Sequence, residues 1–288
     1  GVHTGTAVVG DVGGANRTER LAMGDTPNIA ARMQGLARSN AVVISAGTHT
    51  LVSGYFRTSD LGPQEIKGLE EPMRAFEVLG PSDAHGRVDS GSRLTAYVGR
   101  ESVMAPLRAA WRDACGGNGR VVVLTGEPGV GKSRLLHVFR EELAAELHHQ
   151  FHCFCSPYHS SSALHPVTGM LRSRLRLSEE PDPRLQLERV RESLVEHRCD
   201  TDGALALAAQ MLGVPPEAGY SPLALHPLTQ KQRTLDLLLA MILVPTERRP
   251  TLLVIEDAHW VDPTTLELVG ALIERLEGKR LLVLLTAR

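Results

Sequence analysis

Cysteine is scarce. Four residues in 288 (Cys115, Cys153, Cys155 and Cys199) are too few to staple a chain of this size, which argues against a disulfide-built secreted scaffold and suits a reducing compartment. A cytoplasmic protein is expected. Long apolar runs are also missing: the longest, 237–245, is far short of the roughly 18–20 residues that span a bilayer. Neither charge sign dominates, with 31 basic against 33 acidic side chains and a formal net charge of -2, so overall electrostatics recruit neither nucleic acid nor an anionic membrane. Partners have to be argued from sites. What the chain does have is 42% hydrophobic residues, enough for folded cores and, at this length, for about two domains. Its first residue is Gly1 and its opening reads as the middle of a segment, so a fragment of a longer protein is expected.

Small, polar and turn-forming residues fill 81–94, the expected linker between a segment over 1–80 and one over 95–288. In the first, 6–12 and 41–45 read as strands with a helix over 28–37 between them, and 56–61 and 74–79 read as two more strands. In the second, the β-branched run 120–125 precedes a glycine-rich turn and a helical pattern over 133–147. Apolar strands over 251–255 and 280–286 flank a helical stretch over 264–276, and 171–244 is mostly helical in pattern. Continuous apolar strands alternating with helices imply a parallel sheet covered on both faces.

The most specific signal is Gly126-Glu127-Pro128-Gly129-Val130-Gly131-Lys132-Ser133, which fits GxxxxGK[ST] and lies between a strand and a helix. Glycines let the backbone wrap a phosphate chain, helped by the positive end of the following helix. Gly126, Gly129, Val130, Gly131, Lys132, Ser133 and Arg134 form the expected nucleotide-binding set: Lys132 neutralises the β and γ phosphates and the Ser133 hydroxyl ligates Mg²⁺. Such a loop needs a carboxylate at the end of a neighbouring strand, and Leu252-Leu253-Val254-Ile255-Glu256-Asp257 supplies two. If the strand persists, they point to opposite faces, one serving the metal and the other the attacking water. The sequence leaves open which does which. ATP and Mg²⁺ are the expected cofactors.

Val98-Gly99-Arg100-Glu101 ahead of the loop, LLVIEDAHW with Asp262-Pro263, and LLVLLTAR together resemble the STAND branch of the AAA-like signal-transduction ATPases. The resemblance covers about 97–288 and implies that Val98 and Arg100 neighbour the nucleotide and that Arg288 senses the γ phosphate. Over 1–80, Gly1-Val2-His3-Thr4-Gly5, Val9-Gly10-Asp11-Val12-Gly13 and Gly24-Asp25-Thr26-Pro27-Asn28-Ile29-Ala30-Ala31-Arg32-Met33 resemble the C-terminal half of a class III nucleotide cyclase domain. The fold implied is a partial ferredoxin-like α/β segment followed by a P-loop α/β/α domain.

Thr26 as N-cap and Pro27 as first helical residue would place Asn28 and Arg32 one turn apart on one face. By the resemblance Asn28 orients the ribose, Arg32 stabilises charge developing on the α phosphate, and Lys67, one of only four lysines, binds the triphosphate. The position of the family's purine-selecting residue is Leu21, which cannot make a base-selective hydrogen bond. The metal-binding aspartates of such cyclases belong to strands ahead of Gly1, so this stretch alone is not expected to cyclise a nucleotide. The family also implies a homodimer with sites shared across it. The function expected is cyclic AMP formation under control of an ATP-binding switch; the alternative is a non-catalytic nucleotide-sensing regulator. His152, Cys153, Cys155 and His159 crowd one segment but lack the two separated knuckles of a structural zinc site, so packing is expected of them.

Overall fold

The computed structural model describes residues 1–14, 17–52, 56–67, 69, 71–81 and 99–288, with the backbone alone of 11–14, 17–21, 23 and 81. Val98, the Leu21 side chain and all but the first residue of the 81–94 stretch lie outside the described residues. The chain divides into two compact units, Gly1–Leu94 and Thr95–Arg288.

In the first unit, Val8–Gly14 (β1) and Arg17–Met23 (β2) pair antiparallel, with Val8 opposite Met23. Asp25–Gln34 (α1) follows. Gly24, at φ 121°, turns the chain from strand into helix in a conformation that other residues avoid. The helix therefore opens earlier than the sequence suggests, and the expected cap is corrected. Thr26 lies in the first turn, its hydroxyl donating to the Thr6 carbonyl at 2.6 Å, and Pro27 is tolerated because N–H groups there have no intrahelical acceptor to lose. Next come Val42–Ser45 (β3), Ala46–Val52 (α2), Phe56–Gln64 (β4) and Met73–Pro81 (β5). These strands form an antiparallel sheet in the order β3-β5-β4. Ile29 and Met33 of α1 pack on Val43, Ile66 and Ala75, so the helix face opposite the core carries the polar residues.

The second unit begins with Glu101–Cys115 (α3), Arg120–Thr125 (β6), Lys132–Leu143 (α4) and His149–Phe154 (β7). Four helices follow before the next strand: His165–Arg174 (α5), Pro183–Glu196 (α6), Ala204–Met211 (α7) and Pro227–Leu243 (α8). Thr251–Glu256 (β8), Pro263–Ile273 (α9) and Leu281–Ala287 (β9) complete it. The parallel sheet runs in the order β6-β9-β8-β7. Both faces of β8 are covered, which is why TLLVIE is apolar without alternation. Leu252, Val254, Leu282 and Leu284 face α3 and α4, where Leu107, Trp111, Leu136 and Phe139 are buried. Their neighbours Leu253, Ile255, Leu281 and Val283 face the larger core built by the other helices. Among the described residues no helix is long and apolar enough to cross a membrane.

Candidate functional site

The turn from β6 into α4 carries the glycine-rich motif. Gly129 (φ 80°) and Gly131 (φ 93°) sit in the left-handed region, which glycine enters without a Cβ penalty, so the sequence can bend tightly here. The Lys132 ammonium donates to the carbonyls of Gly126 at 2.6 Å and Glu127 at 3.2 Å, which lays the cation against the loop backbone. Arg134 occupies the first turn of α4. Arg100, just ahead of α3, donates from Nη2 to the Val130 carbonyl. A Cβ added to Gly131 would lie 3.2 Å from Arg100 Nη1, so the guanidinium packs flush on the loop and braces it. The helix that delivers Arg100 is itself fixed to α4 and the turn after it: Arg108 grips Glu142 of α4 with two bonds of 2.8 Å, and Trp111 Nε1 donates to Glu146 just beyond the helix at 2.7 Å. That guanidinium holds the Glu142 carboxyl below the usual carboxylate range.

Strand parity delivers the carboxylate. Leu252 and Val254 face α4, so Glu256, two residues on, does too, and the structure closes the gap: Ser133 Oγ donates to Glu256 Oε2 at 2.6 Å. The other carboxylate oxygen, Oε1, lies 2.8 Å from His152 Nε2. His152 pairs with Val254 in the sheet register and shares its face, and both His152 and Glu256 are only 7% exposed. The condition under which the two acids would point to opposite faces of one strand is not met. β8 ends at Glu256, and Asp257 turns into the left-handed region (φ 54°, ψ 42°), its N–H donating to Thr286 Oγ1 at 2.9 Å. The two acids therefore differ in setting as well as direction, Glu256 buried against the loop helix and Asp257 exposed at the sheet's carboxyl edge.

Around this edge, Asp262 is fully buried and caps α9. Its Oδ1 accepts from Thr264 N (3.1 Å), Thr265 N (2.9 Å) and Leu164 N (3.0 Å), and its Oδ2 accepts from Thr265 Oγ1 (2.6 Å). One side chain thus ties the segment after β8 to the segment after β7. The two ring nitrogens of His259 are buried with no hydrogen-bond partner among the described residues. Arg288 lies with its guanidinium carbon 6.0 Å from the Trp260 ring centroid. His152 and the thiols part company at β7: Cys153 and Cys155 enter the helix-covered core on the opposite face. Burial pushes both thiols up, that of Cys155 to about 12 with help from Asp262 and Asp257. Both should be protonated at neutral pH and inert to iodoacetamide at pH 8 over the time in which urea-unfolded protein is fully labelled. Peptide mapping by mass spectrometry checks this.

In the first unit, Asn28 Nδ2 donates to the Gly24 carbonyl at 3.1 Å, and Arg32 Nη1 donates to the Lys67 carbonyl. The helix face and the loop that carries Lys67 are thereby joined, with Asn28, Arg32 and Lys67 all exposed. His152, Asp262 and the grip of Arg100 on the loop were missed by reading the sequence. Parity along β7 was the signal for the first, and the Asp-Pro capping pattern for the second.

Residues 96–284 match the family described as AAA ATPase domain. The chain belongs to that family. Residues 1–80 match the adenylate and guanylate cyclase catalytic domain, so a cyclase segment is joined to an AAA ATPase unit, as the motifs imply at that level. An uncharacterized protein of Rhizobium meliloti (strain 1021) is 25% identical over 290 residues, covering 100% of this chain and 28% of that protein. Adenylate cyclase 1 of the same strain is 34% identical over 94 residues, 32% of this chain and 14% of that protein. The chain thus spans less than a third of either relative. Among solved structures, the adenylyl cyclase CyaB from P. aeruginosa is 25% identical over 29% of this chain and 43% of that one, with a TM-score of 0.27. The guanylate cyclase domain of RhGC from Catenaria anguillulae is 29% identical over 28% and 43%, with a TM-score of 0.26.

Proposed function

We propose that the AAA ATPase unit binds and hydrolyses Mg-ATP as a STAND-type switch and that the cyclase segment belongs to a dimeric class III enzyme converting ATP to cyclic AMP and pyrophosphate in the cytoplasm. The observation that carries the reading is the 2.6 Å contact between Ser133 Oγ and Glu256 Oε2 at the end of the loop whose carbonyls hold the Lys132 ammonium. A hydroxyl and a carboxylate are the hard oxygen donors that Mg²⁺ prefers, and they meet at the mouth of a loop shaped for phosphates, so the residues present fit the ion and the nucleotide. Bound Mg²⁺ would neutralise charge on the β and γ phosphates. Ser133 and Glu256 would hold it, and Asp257 would orient the attacking water. Lys132, Arg134 and the backbone of Gly126, Gly129, Val130 and Gly131 would hold the phosphates, Val98 and Arg100 would neighbour the nucleotide, and Arg288 would answer to the γ phosphate.

In the cyclase segment, Asn28 would orient the ribose and Arg32 would stabilise the α phosphate, with Lys67 on the triphosphate. Arg32 donates to the Lys67 main-chain carbonyl, so the two residues lie close enough to serve one ligand. The adenylate cyclase relative supports ATP as the base choice.

Calorimetric titration with Mg-ATP tests the switch. Saturable heat is expected, and Ser133→Ala should remove most of the gain in affinity that Mg²⁺ confers, about tenfold. Affinity that is the same with Mg²⁺ or with a chelator in the unaltered protein would sink the reading. Regulation is tested in the longer protein, where Lys132→Ala should change cyclic AMP output; unchanged output removes the coupling between the two units.

A further inference from the structure

We propose that His152 is a positioning residue for the metal-side acid: by donating from Nε2 to Glu256 Oε1, it holds the carboxylate so that Oε2 faces Ser133. The inference rests on the Mg-ATP reading above and extends it to a residue on a different strand, 104 positions away from its partner.

The geometry assigns the role. A carboxylate that ligates a metal can only accept, so under the Mg-ATP reading the 2.8 Å contact puts the hydrogen on Nε2 and makes the imidazole the donor at that nitrogen. Glu256 sits at the end of its strand and its side chain has several rotatable bonds. With one oxygen held by His152 and the other by Ser133 at 2.6 Å, the carboxylate has a single orientation. The imidazole cannot swing away easily, because β7 is registered against β8, with His152 opposite Val254, and the Phe154 ring lies 4.2 Å from the imidazole, centroid to centroid. The contact is also dry. His152 and Glu256 are each 7% exposed, so water cannot substitute cheaply for the lost donor. Asp257, by contrast, has its side chain exposed beyond the strand end. The held acid and the exposed acid are therefore set apart, with His152 on one oxygen of the first and Ser133 on the other. This is how partners behind a metal ligand commonly act: they set the angle at which the ligand meets the ion, and removing them weakens metal binding by about 10- to 100-fold.

The test is a Mg²⁺ titration of nucleotide binding in the whole chain, followed with a fluorescent ATP analogue, alongside the metal-free affinity of the same analogue. His152→Leu removes the donor and should raise the Mg²⁺ concentration at half-saturation about tenfold while leaving metal-free binding unchanged. His152→Gln restores an N–H donor at a similar reach and should recover most of the loss. A residue that only packs would lower the melting temperature and weaken metal-free and metal-dependent binding together, with Gln no better than Leu. That result overturns the proposal.

Should His152→Leu fail to fold, nitrogen-15 histidine spectra of the unaltered protein decide: Nε2 carrying the hydrogen supports the assignment, and a bare Nε2 overturns it. The two readings fail differently. Unaltered protein whose nucleotide binding ignores Mg²⁺ sinks the Mg-ATP reading and this inference with it. Mg²⁺-dependent binding in which His152→Leu causes no shift sinks this inference alone.

Discussion

Lys132→Ala should weaken Mg-ATP binding by about 100-fold while leaving the fold intact. The ammonium is laid against the backbone of the loop by bonds to two of its carbonyls, Gly126 at 2.6 Å and Glu127 at 3.2 Å. Charge-assisted hydrogen bonds of this sort contribute about 1.5–3 kcal/mol each, and 2.7 kcal/mol corresponds to about two powers of ten in affinity. Stability should change little, since both carbonyls lie at a surface turn where water can replace the lysine. The dissociation constant from calorimetry and the melting temperature from the same preparation check the two halves of the statement. A dissociation constant within about threefold of the unaltered protein, with the loop glycines in place, would mean that the phosphate chain is held elsewhere.

The second large effect falls on Asp262. Its carboxylate is fully buried and receives four hydrogen bonds, from three backbone N–H groups and one hydroxyl. Asp262→Ala strips the cap from α9 and leaves the Leu164 N–H buried without an acceptor, so a loss of about 3 kcal/mol is expected. Asp262→Asn keeps an oxygen for the three N–H groups and should lose only about 1 kcal/mol. Urea unfolding followed by tryptophan fluorescence is a clean readout, because both tryptophans, Trp111 and Trp260, belong to the ATPase unit. Equal losses for the two variants would mean that the three N–H bonds, that from Leu164 included, contribute nothing.

Much of this architecture is written in local patterns. The β-branched run before Gly126, the two continuous apolar strands and the GK[ST] turn each declare themselves within a dozen residues, because strand burial and phosphate-loop turns impose composition directly. The hairpin partner Arg17–Met23 did not, since its sequence RTERLAM mixes charged and apolar residues without a period of two, and the pairing with β1 is a backbone match the sequence does not advertise. The short helix α2 was hidden in a segment of Gly, Thr and Val, residues that weaken helix propensity.

At the site, the loop was legible and the acid pair half so. Nothing in IED tells a reader that the strand stops between the two carboxylates; that follows from the left-handed turn at Asp257, anchored by Thr286 from a neighbouring strand. His152 and Asp262 owe their roles to partners 104 and 98 positions away, contacts that only the folded sheet and its crossing loops create.

Parity along β8 has one further implication. Because side chains alternate across a pleated sheet, adding or deleting a single residue within Thr251–Glu256 would turn Glu256 away from α4 and toward the helix-covered core that buries Ile255. An indel there would do more than shift the motif along the chain. It would put a charge among leucines and an aliphatic side chain before Ser133, so natural variation in length should be tolerated in the long helical crossover between β7 and β8 and purged from the six residues of the strand itself.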